Sequence, residues 1–209
     1  GPMGSCVEDV VLAYALMAGA DPRDSATLQQ PPPSIQGWDQ TDLTGVRLGI
    51  FRPWFEHATD DIVKTCDAAV VKLQDAGAVL VDIEIPDLDL MRVAHAVSIL
   101  SEMHDAMAPF GDQVSALSPT TRISLALGRA FTARDYLQAQ KVRTRALRGF
   151  DIIFNRVDGI ITPGTATTAP KLRENATASG WSDLSAATEI MRFMIPGNFV
   201  GLPALTFPV

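Results

Sequence analysis

Val46-Arg47-Leu48-Gly49-Ile50-Phe51 and Ala78-Val79-Leu80-Val81-Asp82-Ile83 are two short apolar runs, and between them Ile62, Cys66, Ala69, Val70 and Leu73 recur at helical spacing. Short runs rich in β-branched residues predict strands, and a repeat at every third or fourth position predicts a helix. Thr59-Asp60-Asp61 supplies a start with two acids where the helix dipole favours negative charge, and Gly77 supplies a stop. Strand, helix and strand within about 40 residues make a crossover unit, which predicts a parallel pair and an α/β fold.

Toward the N-terminus, Ser5-Cys6-Val7-Glu8 has the form of a capping box. It predicts a helix to Met17 with Val7, Val11, Tyr14 and Ala15 on one face, stopped by Gly19. Residues 21–45 are polar and Pro-rich, with Pro31-Pro32-Pro33, and read as a connector. Toward the C-terminus, residues 88–108 predict a helix, and Ser118-Pro119 opens another that runs to Ala130. Thr132 to Asp135 forms a second capping box, before a long helix expected to bury Tyr136, Ala139, Val142, Ala146, Phe150 and Phe154. Asp158 to Pro163 predicts a third strand, and residues 164–182 are turn-rich. Ser182 is expected to cap a helix over 183–195, Pro196-Gly197-Asn198 to break it, and Ala204 to Phe207 to form a fourth strand. An apolar strand at the last residues needs backbone partners, so further polypeptide is expected at both ends.

The chain has 209 residues, enough for one domain with a core, and is 47% hydrophobic and 20% charged. A net charge of −7 argues against nucleic acid, since neutralising phosphates takes a basic face, and against a purely electrostatic hold on anionic lipid. Cys6 and Cys66 stand far apart with no CxxC, which predicts free, buried thiols in a reducing, intracellular compartment. The apolar run from Val10 to Met17 follows Glu8 and Asp9, so it lacks the basic flank of a signal peptide. No apolar run approaches the ~18 residues of a membrane span.

Two stretches could carry chemistry. Thr162-Pro163-Gly164-Thr165-Ala166-Thr167-Thr168 follows a strand whose C-terminal end should face the crevice where open α/β sheets bind ligands. The same stretch also reads as an ordinary polar loop. Met191-Arg192-Phe193-Met194-Ile195-Pro196-Gly197-Asn198 could line an acyl-chain pocket, or could be core packing with a structural asparagine. His57, His95 and His104 have neither HExxH spacing nor a GxSxG serine to serve. With no Walker loop and no GxGxxG either, no metal and no cofactor are expected.

In this order the pieces resemble the amidase signature family. Gly1-Pro2-Met3, Ser5 and Val7-Glu8-Asp9 are similar to the segment that follows the family's signature region. Arg122, Gly128, Tyr136, Ala139, Lys141-Val142-Arg143, Phe150, Phe154, Asp158, Thr162-Pro163 and Ala169-Pro170 resemble its long helix, strand and loop. Asn198, Gly201, Leu202-Pro203-Ala204 and Pro208 resemble its closing motif. Trp54-Phe55, Pro86-Asp87-Leu88, Met91-Arg92, Ala94-His95, Ser98-Ile99 and Met191-Arg192-Phe193 are most similar to plant-type fatty acid amide hydrolases.

The resemblance implies the C-terminal part of a single amidase-signature domain, residues 1–209, with a mixed central β-sheet flanked by helices. It implies hydrolysis of fatty acid amides by a serine, a cis-serine and a lysine that all lie outside this chain, so no catalytic residue falls here and the fragment alone is expected to be inactive. Ser98, Leu127, Phe131, Thr162, Gly164, Thr165, Met191, Met194 and Asn198 become candidates for contact with an apolar acyl amide substrate. The remainder of the polypeptide is the expected partner. A homodimer or larger complex and peripheral contact with a membrane stay open. A non-catalytic amidase-like subunit or receptor, and the A subunit of glutamyl-tRNA amidotransferase, are the alternatives.

Overall fold

The computed structural model describes residues 1–209 except Leu172, Gly180 and Ser182, and describes the backbone alone at Thr177, Ala178 and Leu184. It divides into two units, Gly1–Leu43 and Thr44–Val209.

In the first unit, α1 spans Val7–Met17, as the pattern predicts. The capping box does not form. The helix starts one residue later than that motif requires, so Cys6 holds the cap position and makes no side-chain cap bond. A thiol is a weak acceptor beside a hydroxyl, and Ser5 is out of register. No residue of α1 is buried. Cys6 is exposed, against the expectation of a buried thiol. Beyond the helix, Arg23 grips the Asp21 carboxylate at 2.7 Å, and Thr27 Oγ1 accepts from the Asp21 amide at 2.8 Å.

The second unit is built on β1 (Arg47–Ile50), β2 (Val79–Asp82) and β3 (Gly159–Ile160), in the order β2-β1-β3. Both pairings are parallel, Arg47 against Val79 and Leu48 against Gly159. The crossover unit is therefore present as predicted, and the three described strands all run one way. Its helix, α3 (Asp60–Asp75), packs Val70, Cys66 and Val63 against Ile50 of β1 and Phe55. Gly77 turns the chain into β2 at φ +104, in close contact with the Thr44 backbone, where a side chain would have no room. Between β1 and α3 lies a short helix, α2 (Arg52–Phe55).

The remaining helices bury the larger core. α4 (Leu88–Met107) packs against α5 (Pro119–Ala130), α6 (Ala133–Phe154) and α9 (Ile195–Val200). Its buried residues Met91, Ala94, His95 and Ser98 recur at helical spacing, so a single face of α4 meets these neighbours. Gly128 lets α5 approach until its backbone meets the Leu100 carbonyl of α4. α6 begins on the predicted capping box, with Thr132 and Asp135 bonding each other's backbone N–H. It buries Ala139, Ala146, Phe150 and Ile153, while Phe154 is 37% exposed, contrary to its expected burial. At this end Ile153 and Val157 take the core-facing positions, and Phe154 packs beside Phe150 with ring centroids 6.5 Å apart.

A 3-10 helix over Ala108–Ala116 and two short helices, α7 (Ala176–Ser179) and α8 (Leu184–Met191), complete the order. Asp183 caps α8 by accepting from the Ala186 amide; Ser182, the expected cap, lies outside the described residues. Pro196 does not break a helix but starts one, sitting in the first turn of α9, where its missing N–H costs nothing. Gly201 ends α9 at φ +80. Ala204 to Phe207 is not a strand: it lies exposed and unladdered, with Leu205 71% and Phe207 52% exposed. Extended propensity is local, but a strand also needs a neighbour to pair with, and none among the described residues supplies one.

Candidate functional site

Parallel pairing puts the C-terminal ends of β1 and β3 on the same edge of the sheet. Two segments leave from that edge, Phe51 to Thr59 after β1 and Ile161 to Ala166 after β3. They are tied where the Thr59 amide donates to the Ala166 carbonyl at 2.9 Å.

The loop after β3 holds three of the expected contact residues. Thr162 and Thr165 are half-buried and Gly164 is exposed. The Thr162 hydroxyl donates to the Pro163 carbonyl at 2.7 Å and that of Thr165 to the Thr167 carbonyl at 2.9 Å. Both hydroxyls thus spend their protons on the loop itself and retain lone pairs to accept with. Gly164 lies against Thr206, which brings Ala204 to Phe207 beside the loop.

Met191, Met194 and Asn198 form a second group at the α8–α9 junction, joined by backbone bonds from Met194 to Met191 and from Asn198 to Met194, each 3.0 Å. Met191 is half-buried, and Met194 (43%) and Asn198 are exposed. Ser98 stands apart from both groups. It is buried between α4 and α6 and accepts from Gln140 Nε2 at 3.0 Å. Leu127 on α5 is 43% exposed and Phe131 caps that helix half-buried.

The residues that link these groups went unmarked as site residues in the sequence. Trp54 meets Phe193 with ring centroids 5.2 Å apart. His57 Nδ1 lies 2.6 Å from an Arg192 terminal nitrogen. Since a guanidinium can only donate, Nδ1 accepts and the ring proton resides on Nε2. Arg192 also bonds Glu189, and that bond, reinforced by the charges of Arg192 and Arg92, holds the Glu189 carboxyl below its usual range. The turn after β1 therefore touches both the β3 loop and the α8–α9 junction. A shallow, open cleft lies beside it, lined by Phe51, Trp54, His57, Arg92, Arg192 and Ile195 among others. The Trp54-Phe55 pair and Met191-Arg192-Phe193 were distinctive in the sequence, but nothing local indicated that they meet.

His95 is buried, and desolvation pushes its pKa down, against a smaller upward pull from Glu102. Its ring stands edge-on to Phe199 at 6.4 Å, a packing role joining α4 to α9. Burial also raises the Cys66 thiol, with Asp67 adding to the effect, which makes it a poor nucleophile. Among the described residues no group of three His, Cys, Asp or Glu side chains could hold a metal ion, and no helix is long and apolar enough to cross a membrane.

A family model described as Amidase matches residues 1–209. The chain is 41% identical to a fatty acid amide hydrolase of Medicago truncatula and 36% identical to one of Oryza sativa subsp. indica. All of the chain is matched in both cases, but it spans 36% of each relative's length. Among solved structures, a chain from the vestigial complex that revealed the origins of an s-triazine catabolic enzyme superposes with a TM-score of 0.78. That match has 24% identity over 96% of this chain and 44% of the other, a likeness of fold.

Proposed function

The chain belongs to the amidase family, and from this we propose that the intact protein hydrolyses fatty acid amides, N-acylethanolamine-like, to a free acid and an amine. The observation that carries the reading is the match of every part of this chain to plant fatty acid amide hydrolases.

In the proposed mechanism a lysine takes the proton of a cis-serine, which takes that of the nucleophilic serine. The nucleophile attacks the amide carbonyl, backbone N–H groups hold the oxyanion, the proton taken from the nucleophile is passed to the nitrogen so that the amine leaves neutral, and water then releases the acid. These groups lie outside the present residues. This chain would supply the sheet and part of the wall along the acyl chain. Thr162, Gly164 and Thr165 would line it at the β3 edge, Met191, Met194 and Asn198 at the α8–α9 junction, and Ser98, Leu127 and Phe131 on the helical side. Methionine and phenylalanine suit a flexible apolar chain, because they shed water without imposing a fixed hydrogen-bond geometry.

The test is fluorophosphonate labelling of the intact protein together with release of free acid from a long-chain N-acylethanolamine. The expected result is a labelled band well above the size of this chain, acid release, and loss of that release once the protein has been labelled. An intact protein that neither labels nor releases acid would sink the reading and leave an amidase-like subunit without chemistry.

A further inference from the structure

The turn after β1 and the α8–α9 junction are joined by two contacts of different kinds. One is apolar, Trp54 on Phe193, both rings buried. The other is polar, a terminal nitrogen of Arg192 on His57 Nδ1 at 2.6 Å. Arg192 has little else to hold it. Its side chain is 14% exposed, its Nε is buried with no hydrogen-bond partner among the described residues, and its second terminal nitrogen goes to Glu189, three residues back in the chain. The bond to His57 is the one that carries Arg192 out of its own segment, across 135 residues.

That link depends on the charge of the ring. A guanidinium can only donate, so the contact needs a lone pair on Nδ1, and an imidazolium has none, because both its nitrogens carry protons. A protonated ring would also meet a like charge at bonding distance. His57 is exposed, so solvent protons reach it, and histidine is the side chain whose charge changes between about pH 5 and 8. The charged groups around it are of both signs. Arg192 and Glu189 come from the α8–α9 junction, and Asp89 and Arg92, which line the same cleft, from α4. Arg52, Glu56, Asp60 and Asp61 flank it in its own segment, with Arg52 held by Asp67 at 2.6 Å. Asp89 is 96% exposed, so water screens most of its charge. Glu189 is near enough for a charge on His57 to act on it, so a protonated ring competes with Arg192 for that carboxylate.

We propose that His57 and Arg192 form a pH-sensitive latch, in which the neutral imidazole holds the α8–α9 junction against the turn after β1 and protonation of the ring releases it. The Trp54–Phe193 contact carries no proton, so the junction loosens on release and does not leave the core. The latch stands on this contact and holds whether or not the intact protein hydrolyses fatty acid amides.

The test is hydrogen–deuterium exchange of the intact protein at about pH 8 and about pH 5, read by mass spectrometry and corrected for the intrinsic pH dependence of amide exchange. Peptides spanning 189–198 contain the Met194 and Asn198 amides, which are bonded within the junction. They are expected to exchange about threefold or more faster at the lower pH, as the loss of one hydrogen bond implies. Peptides of α3 are expected to show no such change. His57→Asn, at an exposed position, sets an acceptor near the place of Nδ1 and does not titrate; Arg192→Met removes the donor. Both are expected to abolish the pH response, with wild-type protection of α3 showing that the variants are folded. Equal protection of the junction at both pH values in the wild-type protein, a loosening that α3 shares, or a response that survives either substitution would overturn the proposal.

Discussion

Asp158 sits just ahead of β3 and accepts from the Arg47 backbone amide at 2.8 Å and from its guanidinium at 2.7 Å. These bonds, the side-chain one first, hold its carboxyl down to about 2. A carboxyl whose folded value is depressed stabilises the fold above its unfolded value, near 3.9, and loses that contribution as pH falls through the folded value. Asp158→Asn is thus expected to lower the urea midpoint at pH 7, with the gap to wild type narrowing below about pH 4 and closing near pH 2. A gap that stays constant over that range would mean the carboxylate charge is irrelevant. Gly128 is a different kind of dependence. A methyl there would run into the Leu100 carbonyl, which is backbone and cannot swing aside. Gly128→Ala is expected to cost about 1–3 kcal/mol in urea unfolding; a variant as stable as wild type would show that α5 can lift from α4 freely.

Helix α6 opens on a complete reciprocal cap, Thr132 Oγ1 accepting from the Asp135 amide at 3.2 Å and Asp135 accepting from the Thr132 amide at 2.9 Å. Thr132→Ala is expected to destabilise the fold by about 1 kcal/mol, measured by thermal unfolding, and Thr132→Ser to recover most of that loss. Elements of this kind were legible in the sequence. α3 starts after Thr59 and stops before Gly77, and α5 and α6 start on Ser118-Pro119 and on the Thr132 cap, as those residues predict, because such signals act within one turn of the backbone. The misread elements depended on something further away. Ser5 and Glu8 have the right spacing for a cap, but the helix begins one residue later. Pro196 reads as a breaker or as a starter depending on which side the helix lies. The Ala204–Phe207 run has strand composition without a ladder, and composition carries no information about a neighbour.

At the scale of the molecule, the parallel crossover was legible because both strands and their helix are contiguous in the chain. The candidate site was legible in pieces. Thr162 to Thr165 could be placed at a strand's end, and Met191 to Asn198 was marked as apolar and glycine-broken. The turn that joins them, with Trp54 on Phe193 and His57 on Arg192, could not be read, because that His57 contact spans 135 residues. The same separation of near and far neighbours has a consequence in time. β1 lies in the middle of the sheet, with its sequence-local partner β2 on one side and β3, bridged to it by Arg47 and Asp158 across 111 residues, on the other. Closing so long a loop costs chain entropy before any contact rewards it, so the β1–α3–β2 half should assemble first and β3 dock late. A bond made after the transition state changes the escape rate and not the entry rate. In stopped-flow experiments Asp158→Asn should therefore leave refolding nearly as fast as in the wild type and speed unfolding, so the Arg47–Asp158 pair acts as the catch that sets how long the assembled sheet persists.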